Sequence, residues 1–120
     1  MYNQDKMKKL LYEADQAAQE SDYAYLKKLK EIMGLLQSIE DIDDFSNYME
    51  DMTQKEYAIL GGFVDEIDEK YVTKNFVEAL KKLIKKYPLD IPEEEREFEI
   101  ENVMLRVFEE ELASREKEKN

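Results

Sequence analysis

The chain has no histidine, no cysteine and no tryptophan. Without cysteine it has no disulfides, no thiolate metal ligands and no thiol nucleophile. Without histidine it has no Ser–His or Cys–His pair, no imidazole-bound zinc and no Glu-x-x-His di-iron site. An enzyme built from this inventory would work with carboxylates, tyrosines or lysines alone. Paired carboxylates can hydrolyse glycosides, yet nothing in the sequence predicts a cleft to hold a sugar. The expectation is a protein that is not an enzyme and carries no cofactor. Glycine and proline are also scarce, at three and two residues. Sandwiches and barrels place such residues in a turn every 8–12 positions, whereas long helices need neither. The adjacent pair Gly61-Gly62 lacks the downstream Gly-Lys-Ser/Thr of a phosphate-binding loop. No stretch approaches the roughly 18 consecutive apolar residues that span a bilayer, and no signal-peptide run follows the first residues. A cytoplasmic location is expected.

What the chain does have is charge sorted into blocks. Residues 1–39 balance six acids against six lysines. Residues 40–69 set eleven acids against Lys55, a net of −10, and residues 70–87 set six lysines against Glu78, a net of +5. Residues 88–120 hold twelve acids and five bases, a net of −7, and the whole chain carries −12. Each nucleic-acid or lipid phosphate would meet that acidity, so neither nucleic acid nor membrane is expected as a partner. The lysine-rich block reads instead as internal complementarity, a basic helix lying beside acidic ones. Fifteen lysines against three arginines fit the AT-rich genomes of many bacteria and phages.

With 42% apolar residues in 120, the chain can bury one core but not two. Apolar spacing predicts an all-α, single-domain bundle of four to five helices over residues 1–115, with a frayed tail at 116–120. The first stripe is Met7, Leu10, Leu11, Ala14, Ala17 and Ala18. After a cap at Ser21, a second stripe runs from Tyr25 through Leu26, Leu29, Ile32, Met33 and Leu36 towards Ile39. The acids at 40–44 read as a loop leading to a short helix over 45–52. Thr53-Gln-Lys-Glu56 matches the capping box, and behind it Tyr57, Leu60, Val64, Ile67 and Tyr71 form one seam. Gly61-Gly62 allows two readings, a helix continuous through both glycines or a break with Gly61 as C-cap and a fresh start near Phe63; the seam keeps its phase across the pair, which favours the continuous helix. Thr73 caps the lysine helix, and Pro88 ends it. Pro92 opens a last helix extending to about residue 117, its early glutamates placed where the helix dipole favours negative charge.

That last helix carries two apolar lines: Phe98, Leu105, Phe108 and Leu112 on one, Ile100, Val103, Met104 and Val107 on the other. Two lines predict a helix wedged between neighbours or meeting a second chain, so a homodimer through 98–112 is one expectation. The segment from Asp41 fails as a calcium loop, because Phe45, Ser46 and Met52 occupy positions 5, 6 and 12. The candidate partner-binding residues are therefore Asp41, Asp43, Asp44, Glu50 and Asp51 in the first acidic region, and Glu93, Glu94, Glu97, Phe98, Glu101 and Phe108 in the last helix. Together they predict a non-catalytic protein–protein interaction module, an adaptor or assembly factor. The alternative is an inhibitor or immunity-type protein whose carboxylates block a basic partner such as a nuclease.

Overall fold

Side-chain caps decide where most of the elements begin. Helix α1, Gln4–Ala18, starts where the Asn3 side chain accepts from the Lys6 amide, and α2, Asp22–Met33, where the Ser21 hydroxyl accepts from Ala24. Helix α3, Ile39–Met49, is capped by Ser38 accepting from Asp41. Helix α4, Gln54–Phe63, opens with the full capping box: the Thr53 hydroxyl accepts from the Glu56 amide at 3.2 Å, and the Glu56 carboxylate accepts from the Thr53 amide at 3.0 Å. Helix α5, Lys74–Lys86, is capped by Thr73 and stops just before Pro88. A single turn, α6 at Glu93–Arg96, precedes the long α7 at Ile100–Lys119. The computed structural model describes residues 2–119, the side chains of Glu93 and Lys119 excepted, and every regular element among them is helical.

The all-α expectation holds, while the seven α-helices among the described residues exceed the four to five expected. The differences arise in four places. The second stripe does not stay helical to Ile39: the chain turns after Met33, and Leu35 and Leu36 are buried within that turn. Residues 40–44 are not a loop, because Ser38 caps them and Glu40 and Asp41 sit in a first turn where the dipole welcomes acid. Helix α4 does run through Gly61-Gly62 but ends at Phe63, and two 3-10 turns, Val64–Glu66 and Glu69–Tyr71, carry the rest of the seam. Val64 and Ile67 are buried all the same.

The fourth difference is a break at 97–99 in the expected last helix. Two side chains from the start of α7 stitch it: Asn102 Nδ2 donates to the Arg96 carbonyl and Arg106 Nη2 to the Glu97 carbonyl, each at 2.8 Å. The Arg96 carbonyl also accepts from the Glu99 amide at 3.1 Å, while for the Glu97 carbonyl Arg106 supplies the partner that a continuing helix would otherwise give. Helix α7 then stays helical to Lys119, beyond the point where a tail was expected.

Short connections make α1 and α2 a hairpin, and α4 lies across it, mainly on α1. Helix α3 packs on α5, and α7 packs on α5 and on both 3-10 turns. Aromatic pairs tie these groups into one core. Phe45 of α3 meets Phe63 of α4 with ring centroids 6.3 Å apart, and Phe76 of α5 meets Phe108 of α7 edge-on at 5.6 Å. The basic helix reaches both acidic neighbours: Lys82 pairs with Glu50, which caps the end of α3, at 3.1 Å and Lys81 with Glu109 of α7 at 3.2 Å. Arg115 clamps α7 to the second 3-10 turn, donating to the carbonyls of Val72 and Glu69 while pairing with Glu111.

Candidate partner-binding surfaces

The acidic candidates of α3 and the turn after it divide into those engaged inside the fold and those facing water. Asp41 is only 7% exposed. Its Oδ1 accepts from the Tyr2 amide at 2.8 Å and its Oδ2 from the Gln37 amide at 3.1 Å. Burial opposes its ionisation, but those backbone donors outweigh burial and hold the carboxyl below its ordinary range. Asp41 is thus a structural clasp, and its expected place on a partner surface is corrected. Asp43 accepts from the Thr73 hydroxyl and the Asn75 amide, both at 3.0 Å, tying α3 to the start of α5. Glu50 holds Lys82, while Asp44 and Asp51 are exposed.

The α6–α7 candidates divide in the same way. Phe108 is 0% exposed, packed on Phe76, so it too is corrected from partner contact to core. Phe98 is 74% exposed. In one unbroken helix it would share a line with Leu105, Phe108 and Leu112; the break at 97–99 takes it off that line. Ile100 beside it is also exposed, as are Glu94, Glu95 and Glu97. The side chain of Glu93 lies outside the described residues. Glu101 turns inward, its carboxylate resting over Gly61. Burial, with Glu101 as a second cause, raises the Tyr57 phenol above its ordinary range and keeps it protonated. Tyr57 and Tyr87, whose rings stack at 5.8 Å, form one wall of a cavity of about 370 Å³ that Arg96 and Glu101 also line.

A second surface includes none of the candidate partner-binding residues named from sequence. Between α2 and the end of α4 runs a groove of about 560 Å³. Leu29 and Phe63 are its buried floor and Met33 is half-buried beside them. Tyr23, 79% exposed, and Leu26, 56% exposed, stand along it. The expected second stripe counted Leu26 as core. In fact α2 is apolar over a wider arc than α1 and α4 can cover. Tyr25, Leu29 and Ile32 face inward, and Tyr23, Leu26 and Met33 turn to the groove. That width is the signal in the sequence, together with the phase of Tyr23, which like that of Tyr2, Tyr12 and Tyr48 falls off the apolar stripes. Gly62 keeps this side open: a Cβ there would run into the Tyr25 hydroxyl, which lies against the backbone. Lys27 and Lys30 line the groove from α2, and Glu66 from the other side. Among the described residues neither lysine forms an ion pair.

Among the described residues, no group of three or more acidic side chains converges in a way that could hold a metal ion, and no helix is long and apolar enough to cross a membrane. No protein family, curated protein or solved structure matches this chain.

Proposed function

We propose that the protein is a non-catalytic interaction module that docks a protein segment bearing apolar side chains into the α2–α4 groove. The observation that carries this reading is the exposure of Tyr23 and Leu26 beside a floor of Leu29 and Phe63. Exposed tyrosine and leucine along a concave apolar surface form the core of many protein interfaces, and a partner covering them would gain about 25 cal/mol per Å² of apolar area removed from water. The docking residues are thus on α2 rather than in the middle of α7, where Phe108 is committed to the core. The inhibitor reading has less support, because Asp41, Asp43 and Glu50 are each held by a group of the same chain. Affinity capture with the wild type and Leu26→Asp in parallel, each at low and high salt, tests the reading. A partner retained by the wild type at high salt and lost by Leu26→Asp is expected. Equal recovery by both proteins would overturn it.

A further inference from the structure

The two most exposed large hydrophobic side chains among the described residues, Tyr23 and Phe98, belong to surfaces of opposite shape and opposite charge. Tyr23 borders the groove, where Lys27 and Lys30 on the α2 side, neither in an ion pair among the described residues, face Glu66 alone across it. Phe98 and Ile100 stand out at the α6–α7 break. They lie within a segment, residues 93–101, that carries six glutamates against Arg96 alone. One surface is a basic-edged apolar hollow, the other an acid-flanked apolar knob. They also lie on different flanks of α4: its Gly61 faces Glu101, at the start of α7, and its Gly62 faces Tyr25 of α2. Occupying one therefore leaves the other open.

We propose that the groove receives the Phe98–Ile100 knob of a second copy of this chain. This rests on the reading of the groove as a protein-docking site and names its occupant. Phe98 enters over Leu29 and Phe63, and Glu97 and Glu99 come within reach of Lys27 and Lys30. A groove of about 560 Å³ is within the size range of sites that enclose small apolar groups. The net charge of −12 opposes the approach of two copies. At physiological ionic strength, however, charges more than about 8 Å apart are largely screened, so the charges at the contact outweigh the summed field. The association is head-to-tail, because knob and groove are different patches; it builds rings or chains rather than relying on one self-complementary face.

Sedimentation of the full chain across concentrations from about 10 μM to about 1 mM, where small interfaces associate, tests this. The wild type should grow in mass with concentration. Phe98→Asp and Leu26→Asp should each associate at least tenfold more weakly, a loss of the size expected for a central apolar contact. An equimolar mixture of the two variants should form one-to-one dimers and stop there, since each retains the surface that the other lacks. Phe98→Ala and Leu26→Ser repeat the test without added charge. Both sites are exposed, so circular dichroism should show both variants folded. A wild type that stays monomeric throughout, a mixture that stays monomeric, or a Phe98→Asp variant that associates like the wild type would each overturn the proposal. If a partner is still lost on Leu26→Asp while sedimentation shows monomers, self-docking alone fails. If capture is unaffected by Leu26→Asp, the groove reading itself fails.

Discussion

Asp41 shows how one carboxylate can belong to the fold rather than to the surface. It sits in the first turn of α3, yet it accepts from an amide near the start of the chain and from another in the turn before α3. Replacing it with alanine leaves two partly buried N–H groups without an acceptor. A charged hydrogen-bonded group of this kind is worth about 2–3 kcal/mol. Asp41→Ala should lower unfolding free energy by that amount in urea at neutral pH. The pH dependence has a definite sign. A carboxyl whose pKa is lower in the folded than in the unfolded chain stabilises above its ordinary value, about 3.9, and that stability is lost as pH falls through the folded value. The gap between wild type and Asp41→Ala should therefore narrow below about pH 4, in urea melts at stepped pH. A gap unchanged down to acid would mean that the charge plays no part. Of its two principal partners, Gln37 is local, four residues back beside the Ser38 cap, whereas Tyr2 lies 39 residues away, and only the fold brings that amide to the carboxylate.

At the level of elements, local chemistry was legible and tertiary termination was not. Ser21, Thr53 and Thr73 each cap the helix that follows them, as side-chain chemistry requires. The cap at Ser38 was hidden by the acids after it, which suggest a loop unless they are placed on a helix dipole. The break at 97–99 depends on Asn102 and Arg106 reaching back to carbonyls, and apolar spacing carries no trace of that. Phe98 was recognisable as a candidate, whereas the groove was not, since its walls come from α2 and α4, far apart in sequence. The paired glycines of α4 allow a discriminating test. At Gly61 an added methyl meets only the carboxylate end of Glu101, a flexible side chain, while at Gly62 it meets the hydroxyl of Tyr25, held at the end of a rigid ring. Alanine in a helix interior gains about 1 kcal/mol over glycine. Gly61→Ala should keep most of that gain and melt at a higher temperature. Gly62→Ala should lose it to overpacking, which typically costs about 1–3 kcal/mol, and melt lower. Equal melting temperatures for the two variants would show that neither approach is tight.

For the molecule as a whole, the sorting of charge along the sequence is partly undone by folding. The +5 block lies as α5 between α3 and α7, and Lys81 and Lys82 each reach an acidic neighbour. These pairs are exposed, and each contributes at most about 1 kcal/mol. They do not remove the net charge of −12, which the compact chain confines to a radius of gyration of 14.5 Å. The unfolded chain spreads the same charge over a larger volume, so self-repulsion favours unfolding. Added salt weakens both the repulsion and the attractive pairs. The repulsion involves every acid at long range, where screening is strongest; the pairs act at contact, where it is weakest. Raising NaCl from about 0.1 M to about 1 M shortens the Debye length from about 10 Å to about 3 Å and should stabilise the fold by about 1 kcal/mol. Urea unfolding is the appropriate measurement, because guanidinium would supply the salt itself. It should be made on Phe98→Asp at low concentration, so that self-association adds nothing to the apparent stability. A midpoint that falls with salt would mean that the ion pairs around α5 outweigh the net charge, and that the charge blocks are arranged chiefly for the fold.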